Sequence, residues 1–310
     1  MNKKIKLLIV FGLILLSFHI MSSGRFLLPS NILVIISHAI IPSFMVWGFC
    51  FIFNAGVMDL SIGAIAIIAS NFAGYLGLKM GYPGLIIGGA VVGLALGYLN
   101  SQVFYRLKIP SWIAGLAMAM VYESAASYYA TIKATQGQDI VNLGNRLRAL
   151  GSMPYNIIFW IIGFGLAYLF FNYTSVGLNV RAIGSNSDVS SKMGVDVYRS
   201  IVMAVIVGGI FVGFSGAVNI SYAGRILPVT GLSSIAMVFQ PLAGLLLAGA
   251  MGKLFNVITG ATIGMIMIAA LFNFLTLLGV PSGTWQDIIL GLSVILIAAV
   301  SQRNERGVVK

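Results

Sequence analysis

The chain has 310 residues, of which 59% are hydrophobic and 8% charged, and its mean hydropathy is +1.01. That much apolar surface cannot be hidden in a water-soluble core, so composition excludes a soluble protein and places the chain in the membrane class. The net charge of +11 is dispersed between apolar runs rather than gathered on one face, which argues against nucleic acid and for an orientation bias across a bilayer. Cys50 is the single cysteine, so neither a disulfide nor a cysteine metal site is available. His19 and His38 lie far apart on apolar segments and read as membrane-helix histidines rather than ligands.

In chain order, Lys3, Lys4 and Lys6 precede an apolar run from Leu7 to Ile20. A signal peptide has this shape, but no small-x-small cleavage site follows, so the run is read as an uncleaved first helix. Further spans are predicted at 31–53, 57–78, 84–104, 111–130, 155–172, 200–221, 233–250, 255–278 and 286–301. The fold class is therefore all-α: one integral membrane domain over 1–310, with about ten transmembrane helices and both ends on one side.

With the N-terminus in the cytoplasm, twelve lysines and arginines fall on inner segments, including Arg106, Lys108, Arg181, Lys192, Arg199, Lys253, Arg303, Arg306 and Lys310. Six fall outside: Arg25, Lys79, Lys133, Arg146, Arg148 and Arg225. This bias predicts cytoplasmic termini, a cytoplasmic stretch at 175–199 and a long external loop at 131–153. That external loop is either a docking surface for an outside partner or a solvated connection.

Small residues recur at helical spacing in Gly89-x3-Gly93-x3-Gly97, Ala204-x3-Gly208, Gly209-x3-Gly213 and Gly260-x3-Gly264. In lipid such positions let helix backbones approach closely. They predict a compact bundle and carry no information about a solute.

Several polar residues interrupt the apolar runs. Asp59 and Ser61 head one run, where they cap a broken or re-entrant helix or contact a solute. Tyr122 and Glu123 lie inside the span at 111–130. A carboxylate there bonds a hydroxylated or cationic ligand, or pairs with a nearby basic residue. Gln240 and Asn273 are further polar groups at membrane depth, lining a pathway or bonding a neighbouring helix. The longest polar interruption of the C-terminal half is Ser175–Arg199. In it, Ser185, Asn186, Ser187 and Asp188 are helix-start residues, and Gly194, after Met193, sits where a glycine ends a helix. The stretch is an ordinary loop or carries a two-turn helix of its own, at about 186–194.

These motifs resemble permease subunits of ABC importers of the ribose-type, branched-chain amino-acid/ribose superfamily. Arg181-Ala182-Ile183-Gly184-x-Asn186 followed by Gly194-Val195 is similar to that family's cytoplasmic coupling segment, with Ser185 in place of its second glycine and Asp196 in place of an asparagine. Gly56-Val57-Met58-Asp59-Leu60-Ser61-Ile62-Gly63 resembles Gly-Gly-Ile-Asp-Leu-Ser-Val-Gly, with Val57 departing from glycine. Pro110-Ser111-Trp112-Ile113 resembles Pro-Ser-Phe-Ile, and Tyr122-Glu123-Ser124 stands where Tyr-Arg-Gly is usual, so Glu123 inverts a charge. Asn273 opens a match to Asn-Gly-Leu-Asn-Leu-Leu-Gly-Val, in which Phe274 replaces the glycine, and Trp285-Gln286 follows.

The resemblance implies an importer moving a small hydrophilic solute, a monosaccharide or related sugar, by alternating access across a bacterial plasma (inner) membrane. It implies ATPase subunits docked at Gly184, Asn186, Ser187, Asp188, Met193 and Gly194, a second permease chain, and an extracytoplasmic solute-binding protein. The expected solute pathway passes Asp59, Ser61, Tyr122, Glu123, Gln240 and Asn273. ATP and Mg would be bound by the partner ATPase, because Gly244–Leu254 is no phosphate loop: Leu247 stands at its first glycine and Leu254 at its hydroxyl residue. No cofactor is expected in this chain. Branched-chain amino acids or nucleosides are alternative solutes, and an ion-coupled carrier titrating Asp59 and Glu123 is an alternative of another class.

Overall fold

The computed structural model describes residues 3–137, 140–252, 254–281 and 283–303. Lys253, Arg306 and Lys310, three of the predicted inner-side charges, lie outside the described residues. Among these residues the chain forms helices and turns only. The helices are α1 (Lys3–Met21), α2 (Pro29–Asn54), α3 (Ile62–Met80), α4 (Tyr82–Leu107), α5 (Ser111–Thr135), α6 (Tyr155–Tyr173), α7 (Ser175–Ser185), α8 (Ser187–Lys192), α9 (Val197–Ala223), α10 (Ala236–Ala250), α11 (Val257–Leu277) and α12 (Thr284–Arg303).

Seven helical segments among the described residues are long and apolar enough to cross a membrane: α2, α3, α4, α6, α9, the run Ser233–Ala250 and α11. Shorter apolar stretches occupy Gly12–Met21 and Trp285–Leu296. α5 is as long as these spans at 25 residues, but Glu123, Ser124, Ser127, Thr131 and Lys133 dilute its hydropathy. The chain is a multi-pass membrane protein.

The chain divides into two compact units, 40–241 and 1–39 with 242–310. In the first, α9 packs against α3, α4 and α7. The α4–α9 contact is glycine on glycine. A Cβ on Gly93 would overlap the carbonyl oxygen of Gly209, one on Gly209 would overlap that of Gly93, and Gly89 and Gly213 stand in the same reciprocal relation. Gly48 of α2 meets the Gly208 carbonyl the same way. With lipid as solvent on the outside, this close approach supplies the van der Waals contact that binds the helices. An aromatic cluster fills the other side of α9: Phe44, Trp47 and Phe51 of α2 with Phe159 and Phe171 of α6 and Phe211 and Phe214 of α9.

In the second unit, Phe274 of α11 stacks on Phe18 at 3.9 Å and meets Phe26 edge-on at 6.1 Å. The phenylalanine that stands where the family pattern has a glycine therefore fills an aromatic core with Ile35, Ala39 and Ala269. Gly264 approaches Gly244, where a Cβ would lie 2.8 Å from the carbonyl oxygen.

Two connections differ from expectation. The stretch 175–199 contains two helices, not one. α7 precedes α8, capped by Thr174, and turns Gly177, Val180 and Ile183 inward. It is amphipathic and short, so its composition reads as a loop although one face is packed against α6 and α9. The long connection 131–153 begins as the last turn of α5 and returns to pack on the end of α9. The Leu143 amide donates to the Gly224 carbonyl at 2.9 Å, and the Arg148 guanidinium donates to the carbonyls of Tyr222 and Gly144. The carbonyls at a helix C-terminus need donors from outside the helix, and this connection supplies them.

Candidate functional site

The chain leaves α2 at Asn54 and re-enters a helix only at Ile62, so the first N–H groups of α3 need acceptors. Asp59 provides one: its Oδ1 accepts from the Ser61 amide at 2.8 Å and from the Ser61 hydroxyl at 2.7 Å. Its Oδ2 accepts from Asn100 Nδ2 of α4 at 2.8 Å, and the same amide nitrogen donates to Ser61 Oγ at 2.6 Å. Asn100 Oδ1 in turn accepts the Tyr122 hydroxyl of α5 at 2.6 Å. All four residues are buried. The start of α5 grips the same segment, since the Met58 amide donates to Ser111 Oγ at 2.9 Å and a Cβ on Gly115 would lie 2.6 Å from the Leu60 nitrogen. Asp59 thus closes a two-residue turn at the head of α3, while Ser61 places its hydroxyl between Asp59 and Asn100.

Glu123, the next residue of α5, holds a second helix start. Its Oε2 accepts from the Leu232 amide and its Oε1 from the Ser234 amide, both at 2.8 Å. Leu232 has a left-handed backbone (φ 63), and the 3-10 turn Ser233–Ile235 leads directly into α10. The sequence offered a ligand or a basic side chain as partner for Glu123; among the described residues its oxygens accept from backbone amides rather than from a basic side chain. Unpaired backbone donors and the positive end of a helix dipole satisfy a buried carboxylate without a counter-ion. Consecutive residues on a helix point about 100° apart, so Tyr122 and Glu123 reach two different neighbours from one turn of α5. The two helix starts also meet directly, because a Cβ on Gly63 would overlap the Ser234 carbonyl oxygen. Ser234 is buried, and its hydroxyl is without a hydrogen-bond partner among the described residues.

Asp59, Ser61, Tyr122 and Glu123 therefore form one buried node, joined by Asn100 and Ser234, which the sequence reading did not single out. Asn100 had a signal, as the first of three polar residues, Asn100-Ser101-Gln102, that interrupt the apolar run of α4. Ser234 had none. Gln240, half-buried on α10, takes no part in the node's hydrogen bonds. Asn273 is engaged within the second unit: its Nδ2 donates to Asn31 Oδ1 at 3.0 Å, and Asn31 Nδ2 donates back to its Oδ1 at 2.8 Å. Among the described residues no cluster of histidine, cysteine, aspartate or glutamate could hold a metal ion.

The remaining predicted residues gather at α8. Asn186 Oδ1 accepts from the Val189 amide at 3.0 Å, capping a six-residue helix, narrower than the expected 186–194. At the other end, the Val195 amide donates to Ser190 and the Gly194 amide to Ser191, both at 3.0 Å, with Gly194 at φ 88. That is a Schellman termination, whose left-handed residue is usually glycine. Ser187, Asp188 and Met193 are exposed, and Met193 is 80% accessible, a large apolar tip turned to solvent. Gly184 does something else: a Cβ there would overlap the Asn54 carbonyl, so it seats α7 against the end of α2.

A family model described as branched-chain amino acid transport system / permease component matches residues 31–298. The chain belongs to this permease family. The permease is 30% identical to the ribose import permease protein RbsC of Bacillus subtilis over 301 residues, covering 90% of this chain and 87% of the relative. It is 25% identical to the fructose import permease protein FrcC of Rhizobium meliloti over 310 residues, 95% of this chain and 84% of the relative. With the D-allose transport system permease protein AlsC of Escherichia coli it shares 24% identity over 296 residues, 94% and 89% of the two chains. No solved structure matches.

Proposed function

We propose that this permease is the transmembrane subunit of an ATP-driven sugar importer of a bacterial plasma membrane. The supporting observation is that relatives spanning at least 84% of their own length against this chain carry ribose, fructose or allose in their names. The permease is not itself an enzyme; separate ATPase chains bind ATP and Mg and hydrolyse the nucleotide. α8, capped at both ends and presenting Met193 and Asp188 outward, is the element those chains grip. Their closure moves the bundle between inward- and outward-open states, and coupling requires that each bundle state bind one ATPase state better than the other. A second permease chain completes the pathway, and an external binding protein delivers the sugar. The carrier alternative loses ground, since all four carboxylate oxygens of Asp59 and Glu123 are engaged in holding helix starts.

Gentle solubilisation from the native membrane, followed by identification of what co-purifies, tests this reading. A stoichiometric partner with a phosphate-loop sequence is expected, and the reconstituted assembly should take up D-ribose, D-fructose or D-allose only with ATP. A chain that purifies alone and moves solute under an ion gradient would overturn it.

A further inference from the structure

We infer that a groove between α3 and α5 is a subsite for a single hydroxylated ring, a proposal that rests on the sugar-importer reading above. The groove has a volume of about 520 Å³ and is lined by Asn71, Phe72 and Tyr75 of α3, Tyr129 and Lys133 of α5, and Val141. That volume lies within the range of small-molecule sites, which combine aromatic walls with a few polar groups.

The wall is built rather than incidental. Val141 is buried and packs against the bare backbone of Gly74, and two residues on, Leu143 is tied to the end of α9. A lysine lies against each tyrosine ring. Lys79 Nζ donates to the Tyr75 hydroxyl at 2.6 Å and stands 4.3 Å from the ring centroid, and Lys133 Nζ lies 5.8 Å from the centroid of Tyr129.

Asn71 supplies the polar side. Its Nδ2 donates to the Ile67 carbonyl at 3.1 Å, whereas its enclosed Oδ1 accepts no hydrogen bond among the described residues. An enclosed acceptor without a donor is costly, so an Asn71 amide that turns to meet a ligand hydroxyl in the groove recovers energy that an apolar ligand could not supply. A sugar ring fits both demands, with an apolar C–H face for the tyrosines and hydroxyl donors for the amide.

Ala126, which lines the groove, packs close to Ala64, Ile67, Tyr122 and Glu123 on its inner side. A ring against Ala126 stands about one helical turn along α5 from Tyr122 and Glu123 of the node that clasps the two helix starts.

The test uses the full importer assembly in proteoliposomes, with its binding protein and D-ribose, D-fructose and D-allose as probes. Cys50 is fully buried and is the only cysteine of this chain, so Ala126→Cys gives the permease a single reactive thiol, whose labelling is read on the permease band alone. Sugar supplied through the binding protein without ATP should slow labelling of that thiol by a membrane-impermeant maleimide. Asn71→Ala should abolish this protection and lower uptake about tenfold, the scale of one hydrogen bond. Tyr129→Ala should lower uptake to a similar extent, and Tyr129→Phe, which keeps the ring, should restore most of it. Normal uptake in Asn71→Ala and Tyr129→Ala, or labelling indifferent to a sugar that the wild type transports, overturns the groove alone. A wild-type assembly that carries none of the three sugars overturns the functional reading and the ligand class together.

Discussion

At the scale of single residues, Glu123 is a carboxylate held at both ends by backbone. Both of its oxygens accept from backbone amides, so Glu123→Gln keeps one acceptor and turns an amide N–H₂ toward a backbone N–H. Leaving a buried donor unmatched costs about 1–3 kcal/mol, and a lower midpoint for thermal unfolding of the purified protein in detergent is the expected result. An unchanged midpoint would show that the carboxylate contributes no more than its shape. Tyr122→Phe tests the other arm. It removes the donor to Asn100 Oδ1, which remains buried, and should destabilise by a comparable amount in the same assay. Of this node, the head of α3 was legible in the sequence, because aspartate and serine before an apolar run are helix-start chemistry. The partner of Glu123 was not. A backbone amide 109 residues away leaves no mark in composition, and sequence reasoning could offer only side chains or a ligand as its partner.

Among the elements, α8 is defined almost entirely by its two ends. Gly194 has a left-handed backbone and nothing within 4 Å of where a Cβ would stand, so a substitution there meets strain but no clash. Gly194→Val should cost about 1–2 kcal/mol of local stability, loosening α8 while leaving the spans intact. The expected outcome is normal membrane content, measured by immunoblot, with uptake sharply reduced; Gly194→Asn, which tolerates this backbone, should lose less. Uptake equal to wild type in Gly194→Val would remove α8 from the coupling role. The α4–α9 pair behaves in the opposite way. A side chain on Gly93 has no room, so Gly93→Leu must force the helices apart, and the protein should fail to elute as a single species in size-exclusion chromatography. Both elements were visible in advance, as Asn186 and Gly194 in one case and as glycines four apart in the other. α7 was hidden because an 11-residue amphipathic helix among serines and asparagine has too few apolar positions to stand out from a loop.

For the molecule as a whole, the apolar runs announced an all-helical membrane bundle, while the number of spans depends on how polar a helix is allowed to be. α5 shows why: Glu123, one of the residues that thin its hydropathy, is what ties it to the start of α10. The charge bias predicts an orientation that can be measured directly. Met193→Cys should react with an impermeant maleimide in inside-out vesicles and be protected in right-side-out cells. Arg146→Cys, on the connection that returns to α9, should show the reverse. Met193→Cys labelled from outside would invert the proposed topology and remove α8 from the reach of any cytoplasmic ATPase.

The span between Glu123 and its partners also has a meaning in time. A ribosome that has just released α5 into the bilayer has made Asp59, Ser61, Asn100 and Tyr122, so the first arm of the node can close at once. Glu123 must wait for another 109 residues before the Leu232 amide exists. Until then a carboxylate sits in an incomplete bundle with its intended donors unmade, which insertion scales put at roughly 2.5–3.5 kcal/mol for a charge at the centre of a span. A nascent chain stopped before Leu232 is thus marked as unfinished by its own chemistry, and completion of the polypeptide is what removes the mark.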